Sequence, residues 1–304
     1  MSTISEKIKA YIDLTRIHFC PVWILLILTG LFLAFAKEQV FFLELTIKVA
    51  FIGFFGFEAG LVLNDYIDRD LDKNDVEHDK MDYYWRLFKS KPLPSGRIPS
   101  SHALGLFLIL VILTTTLILT LPSPNRYYLL LIMGYSYLME TFYQLKKRKE
   151  RFPFAQLLGR TDFTLFPIAG YLAYSSFDMT ALLYMLFFYP WTMIHLAIND
   201  MADLKNDVAK KMNTITTLFK LKGTVNWILL FTTIHIITAI LFLGILNTIA
   251  RIGFVFSFVI LIIINIKLTK KKTSDTAFKT LPILHSTLLI YMVSLLLEAY
   301  LLLR

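Results

Sequence analysis

Apolar residues run in long blocks along most of the chain, separated by short polar stretches. A block of roughly 18 or more apolar residues reads as a helix crossing a bilayer. Nine are predicted, over about 19–36, 43–63, 102–121, 126–145, 155–175, 180–199, 224–247, 251–267 and 281–303. Pro167 predicts a kink in the fifth, and Pro122-Ser123-Pro124-Asn125 a tight turn between the third and fourth. Residues 1–18 carry Lys7, Lys9 and Arg16 among apolar positions and predict an amphipathic surface helix. Two longer polar segments, 65–101 and 200–223, follow the second and sixth blocks. Within the first, 76–88 (VEHDKMDYYWRLF) mixes charge with aromatic residues, the pattern of an interfacial helix able to act as a lid. Residues 92–97 (PLPSGR) predict a rigid turn.

Composition agrees with an all-α, polytopic membrane protein. Of 304 residues, 56% are hydrophobic and only 17% charged, too apolar for a soluble chain of this length. The single cysteine, Cys20, permits no disulfide within the chain. The net charge of +9 raises nucleic acid as a partner, but its distribution argues against that. All of the 31 Lys and Arg except Lys37, Lys48, Arg126, Arg251 and Arg304 fall in 1–18, 65–101, 145–160, 200–224 and 267–280. These segments lie on one side of a nine-span topology. The positive-inside rule therefore expects a cytoplasmic N-terminus and a C-terminus outside. The first block is too long for a cleaved signal and many spans follow it.

Two acidic stretches carry the candidate chemistry. Residues 64–72 (NDYIDRDLD) and 199–207 (NDMADLKND) share the pattern N-D-x-x-D-x-x-x-D. Asn64, Asp68 and Asp72 are spaced i, i+4, i+8, as are Asn199, Asp203 and Asp207, so a continuous helix would stack each set on one face. Both lie at expected cytoplasmic ends of spans that point the same way, which suggests pseudo-repeat halves over about 19–145 and 155–267. Two such faces in opposition make an oxygen-rich pocket for hard divalent cations. Mg²⁺ prefers a site completed by substrate phosphates. A bridged arrangement of carboxylate, Mg²⁺, diphosphate, Mg²⁺ and carboxylate would need two ions and would turn the diphosphate into a leaving group. Asp68, Asp72, Asp203 and Asp207 are the candidate catalytic residues, with Asn64 and Asn199 as further metal ligands. An allylic chain on that diphosphate would ionise to a cation needing shelter from water, which some of the 26 Phe and 15 Tyr would provide.

Lys91, Arg97, Lys146, Lys147 and Arg148 are candidates to bind the diphosphate, with Arg16 and Arg160 as further ones; each equally serves as a topology-setting charge. His195 lies one turn before Asn199 and either assists an acceptor or hydrogen-bonds within the bundle. Glu58 and Glu140 are intramembrane carboxylates, which makes each a functional-site hypothesis.

The stretches Leu14-Thr15-Arg16, 64–72, 91–96 (KPLPSG), 143–148, Gln156-Leu157-Leu158-Gly159 and 199–207, with Thr214 and Thr216 after it, together resemble the UbiA superfamily of intramembrane prenyltransferases over most of the chain. The resemblance implies nine transmembrane helices in a bundle around a central cavity capped by the two polar loops, as a single domain. It implies Mg²⁺-dependent transfer of a prenyl chain from a polyprenyl diphosphate to a lipophilic acceptor, an aromatic quinone precursor or a prenylglycerol-type lipid. By position, Asn64, Asp68 and Asp72 would serve one Mg²⁺ and Asp203 and Asp207 the other, supported by Asp65, Asn199 and Asp200. The sequence departs from the simplest family pattern in the long interval between Asp72 and Lys91 and in the Asn199-Asp200 pair. Both bear on the acceptor. A divalent-cation transporter with paired acidic helices is the alternative, though it would place carboxylates mid-helix. A phosphatidyl-type transferase would need D-x-x-D-G-x-x-A-R, which the chain lacks.

Overall fold

A computed structural model describes residues 4–78 and 80–304. Residues 1–3 and Asp79, which fall within the predicted N-terminal stretch and the 76–88 segment, lie outside the described residues. The expected surface helix forms as α1 (Ile4–Thr15). It stops at Arg16, which adopts left-handed φ/ψ of 50°/35° before a short 3-10 turn. Then come α2 (Cys20–Glu38), α3 (Leu43–Asp68), the five-residue α4 (Met81–Trp85), α5 (Ser100–Leu119), α6 (Asn125–Lys146), α7 (Phe154–Gly159) and α8 (Thr161–Leu172). The second half holds α9 (Met179–Ala202), α10 (Leu204–Ala209), α11 (Ile215–Leu243), α12 (Thr248–Lys270) and α13 (Ser274–Leu302), with no strand among the described residues.

Seven helices are long and apolar enough to cross a membrane: the stretch Ile17–Glu38, α3, α5, α9, α11, α12 and α13. Nine were expected. The fourth expected span is α6, whose polar content (Arg126, Glu140, Gln144, Lys146) dilutes its apolar character. The fifth is divided, since α7 and α8 meet at Arg160 rather than forming one helix bent at Pro167. The predicted interfacial helix over 76–88 shrinks to α4, because Arg86 turns extended to reach two buried partners.

α2 packs on α3, α8 and α13; α6 sits between α3 and α8; α9 contacts α8, α11 and α13; and α12 closes against α11 and α13. The α2–α8 crossing is backbone to backbone. A Cβ on Gly30 would lie 1.8 Å from the Pro167 carbonyl oxygen, and one on Gly170 would lie 1.8 Å from the Ile27 carbonyl oxygen. Only glycine permits that approach, the usual route to tight helix packing where lipid supplies no hydrophobic drive. Elsewhere large apolar side chains stay exposed in continuous faces, among them Leu108, Ile109 and Ile112 on α5 and Val255, Phe256, Val259 and Ile262 on α12. Faces of that extent suit contact with lipid.

Candidate active site

One cavity of about 340 Å³ collects both acidic stretches. Asn64, Asp65, Asp68 and Asp72 of the first stretch line it together with Asn199, Asp200, Asp203 and Asp207 of the second. The expected continuous helical faces do not form. α3 ends at Asp68 and Asp72 sits in a 3-10 turn over Asp72–Asn74. Likewise α9 ends at Ala202, Asp203 is a cap residue, and Asp207 belongs to α10. Each helix carried straight on would move its last aspartate about 6 Å further along the axis, away from the cavity. Asp and Asn side chains compete with the backbone for hydrogen bonds and favour such breaks. The turn instead delivers Asp72 to two lysines from different segments.

Asn64 donates from Nδ2 to Glu140 Oε1 on α6 (2.7 Å), which leaves its carbonyl oxygen as the only ligand atom it has to offer. Asp65 faces two arginines, Arg16 at 2.7 Å through Oδ1 and Arg86 at 2.7 Å through Oδ2, so both of its oxygens are committed to holding the lid. Arg86 also donates to the Asp13 carbonyl (2.6 Å), and the Asp13 carboxylate accepts from the Phe88 and Ser90 amides (2.7 and 3.0 Å). Asp68 takes Lys147 at 3.0 Å and Arg148 at 3.1 Å. Asp72 takes Lys91 and Lys210, each at 3.1 Å, and both lysines also pair with Asp75. Burial alone would raise the Asp72 carboxyl, but the two ammonium groups outweigh it and hold it at about 2.

The second stretch is short of counter-charge. Asp200 accepts from the Ile215 amide (3.0 Å) and so caps α11. Asp203 accepts from Asn206 Nδ2 (2.8 Å) and Asp207 from Thr214 Oγ1 (2.8 Å). Burial and the nearby Asp207 charge raise the Asp203 carboxyl above its ordinary value, and burial does the same to Asp207. Two buried carboxylates that repel one another fit a hard divalent cation. No group of three or more His, Cys, Asp or Glu converges on one point among the described residues.

The other predicted residues divide. Lys91, Lys147 and Arg16 line the cavity, and Arg148 reaches Asp68 from its edge. Lys146 and Arg97 are exposed and outside the lining, because each points away from the turn that carries its neighbours inward. Glu58 is buried with neither oxygen hydrogen-bonded, and it too is outside the lining. His195 lines the wall below Asn199, whose Oδ1 accepts from the Trp85 indole (3.3 Å). Glu140 is tied up by Asn64 and Arg160 (2.9 Å).

Several site residues escaped the sequence reading. Lys210 is the main one; its position three residues after Asp207, one helical turn on, was the available signal. Asp75 and Arg86 needed the loop path. Asn206 was hidden inside the second acidic stretch. Its Oδ1 accepts from the Val76 and Glu77 amides (3.0 and 2.8 Å) and its Nδ2 donates to the Glu77 carbonyl (3.0 Å), so it ties the two polar segments together. Below the acids the cavity is aromatic. Trp23 stacks on Phe57 at 4.0 Å, and Phe57 meets Phe166 at 5.0 Å and Phe163 at 5.8 Å.

The UbiA prenyltransferase family model matches residues 24–293. A 4-hydroxybenzoate octaprenyltransferase from Psychromonas ingrahamii is 29% identical over 219 residues, 70% of either chain. Among solved structures, a digeranylgeranylglyceryl phosphate synthase superposes with a TM-score of 0.66 at 21% identity, covering 97% of this chain and 99% of that one. A UbiA homologue from Archaeoglobus fulgidus bound to DMAPP and Mg²⁺ superposes with a TM-score of 0.67 at 13% identity, covering 94% and 99%.

Proposed function

The chain belongs to the UbiA prenyltransferase family and is a membrane prenyltransferase, and from that premise we propose that it moves a prenyl chain from a polyprenyl diphosphate to a lipophilic acceptor in a Mg²⁺-dependent reaction. The observation that carries this reading is that both acidic stretches line one cavity together with the aromatic rings of Trp23, Phe57, Phe163 and Phe166. The solved relative that binds DMAPP and Mg²⁺ supports the donor class and the ion.

Asn64, Asp68 and Asp72 would hold one Mg²⁺, and Asn199, Asp203 and Asp207 a second. When bound, the ions neutralise the diphosphate and make it a better leaving group. Lys91, Lys147, Arg148 and Lys210, now paired with Asp68, Asp72 and Asp75, are placed to transfer their hydrogen bonds to diphosphate oxygens as the carboxylates turn to the metal. The C1–O bond of the donor breaks with its electron pair going to diphosphate. The allylic cation is left among Trp23, Phe57, Phe163 and Phe166, whose faces favour positive charge and exclude water. An acceptor nucleophile then bonds to C1 and releases a proton. Asp65, Arg16 and Arg86 hold the lid against the cavity.

The arrangement in the membrane follows the nine-span reading. α6 and the α7–α8 pair cross with the seven apolar helices, the acidic cavity faces the cytoplasm with the N-terminus, and the C-terminus lies outside. The concentration of Lys and Arg at the cavity end supports this.

An acceptor panel with one labelled prenyl diphosphate, read by mass spectrometry, tests the function. Transfer should vanish in EDTA and return with Mg²⁺. Mg²⁺ flux into liposomes without diphosphate release would overturn it. The dependence on pH has a definite sign. Asp203 and Asp207 must be ionised to bind metal and their carboxyls titrate above the ordinary range. Lowering the pH from about 7.5 to about 6 should therefore weaken Mg²⁺ binding, whereas ordinary carboxylates would stay ionised over that window. The Mg²⁺ concentration giving half-maximal turnover, measured at both pH values, checks this.

A further inference from the structure

A groove of about 430 Å³ lies apart from the cavity and shares no lining residue with it. Leu204 and Val208 of α10 and Thr217 and Leu221 of α11 line it together with Lys220 and Lys222. No acid is among its lining residues. Both lysines are exposed, and neither has an acidic partner among the described residues. The lysines of the cavity differ, since Lys91, Lys147 and Lys210 are each paired with an aspartate. Val208 is 60% exposed, so the apolar wall of the groove is uncovered.

The backbone is bent to make this groove. On a continuous helix, residues 220 and 222 would point about 200° apart and could not serve one site. α11 breaks at Lys220, whose φ/ψ of 57°/172° lies in a region nearly reserved for glycine. The break lets both lysines reach the same groove. Strain of this kind clusters where a ligand is clamped, and it falls here on a lysine rather than on Gly223 three residues later. The walls also belong to segments that build the active site. Leu204 and Val208, spaced i and i+4, share one face of α10, while Asp207 of the same helix and Asp203 and Lys210 at its two ends line the cavity. Thr214 at the start of α11 lines the cavity, and Thr217 three residues on lines the groove.

We propose that this groove holds an anionic phospholipid, with its phosphate between the Lys220 and Lys222 ammonium groups and an acyl chain along Leu204, Val208 and Leu221. Charge and polarity both match: two unpaired cations stand beside an apolar trough in the first turns of a membrane-length helix. On the membrane arrangement proposed above, that end of α11 meets the cytoplasmic leaflet, whose anionic lipids attract lysine. A soluble anion would leave the apolar wall uncovered, and a zwitterionic lipid would bring a further cation towards the lysines. Bound lipid braces α10 against the start of α11. Across that junction Thr214 Oγ1 donates to Asp207 and the Ile215 amide donates to Asp200. An occupied groove therefore favours the arrangement of the second acidic stretch that receives Mg²⁺. This consequence rests on the prenyl-transfer reading above, whereas the lipid site itself does not.

The test gives the full chain in detergent equal amounts of phosphatidylglycerol and phosphatidylcholine and measures retained lipid by native mass spectrometry. Phosphatidylglycerol should be preferred on the order of tenfold, as two lysine contacts with an anionic headgroup allow. Lys220→Gln with Lys222→Gln should bring the two lipids within about twofold of each other. Lys270→Gln with Lys271→Gln removes equal charge from the exposed end of α12 and should keep the preference. Val208→Trp fills the groove with both lysines in place, and it should lower phosphatidylglycerol retention; it decides the matter should the Lys220, Lys222 variant fail to fold. In the same detergent, added phosphatidylglycerol should lower the Mg²⁺ concentration giving half-maximal turnover of the unaltered chain and leave that of the Lys220, Lys222 variant in place. Equal retention of the two lipids, a preference that survives in the Lys220, Lys222 variant or is lost in the Lys270, Lys271 variant, or undiminished retention in Val208→Trp overturns the proposal. A Mg²⁺ requirement indifferent to phosphatidylglycerol overturns the bracing of the acidic stretch. Absence of turnover in either lipid, with the lipid preference intact, would instead remove the prenyl-transfer reading and leave the lipid site standing.

Discussion

Asp68→Asn and Asp203→Asn should each lower kcat/KM for the prenyl diphosphate by on the order of a thousandfold. The change removes one negative charge and one oxygen ligand with little change of shape. Charge stabilisation by a bound metal contributes several kcal/mol, and each 1.4 kcal/mol or so is a factor of ten. The two sites differ in what they leave behind. At Asp68 the substitution frees Lys147 and Arg148 from their carboxylate. At Asp203 it relieves repulsion with Asp207. Asp203→Asn should therefore fold at least as stably as the unaltered chain, and Asp68→Asn somewhat less so. Single-turnover assays at saturating Mg²⁺ with thermal unfolding midpoints in detergent would separate the effects. Full turnover in either variant would remove the paired-metal site.

Asp65→Asn should cost stability and donor affinity together, although Asp65 has no oxygen left for metal. It is the common partner of Arg16 and Arg86, both at 2.7 Å. Arg86 and Asp65 are buried, at 3% and 5% exposure. Breaking a buried ion pair by neutralising one member costs about 3–5 kcal/mol, because the other charge stays desolvated. Two cations depend on this one carboxylate, so the larger figure is expected. The unfolding midpoint should fall. The donor KM should rise, because residues 81–91 lose the anchor that holds Trp85 and Lys91 over the cavity. An unchanged midpoint would mean that the lid is held chiefly by Asn206 and Asp13.

The pattern of apolar blocks was enough to locate the long helices, since a bilayer demands the same length and apolarity of every crossing. It also located α6, although that helix is less apolar than the other long ones, and it missed the α7–α8 break. Glu140, Arg160 and Asp162 make an ion-paired cluster inside the bundle, and charges satisfied there lower the apolar content that length and composition register. The N-D-x-x-D-x-x-x-D repeats were legible because the same residue types recur at the same spacing. Their geometry was not. Periodicity assumes the helix continues, whereas α3 and α9 end at Asp68 and Ala202 and fold Asp72 and Asp207 inward.

Residue type and spacing in the chain thus settled that this is a helical membrane protein with two acidic stretches of the same pattern, because those properties are local: each can be read within its own segment. Which cations meet which acids is a matter of distance between segments far apart in sequence. Lys210 on Asp72 and Trp85 over His195 and Asn199 arise only when the first polar segment closes against α9 and the segment after it. No local rule of spacing ties residue 72 to residue 210, and burial gives that contact its electrostatic strength. For the same reason Lys146 and Lys147, neighbours of identical type, take opposite roles, one facing solvent and the other facing Asp68.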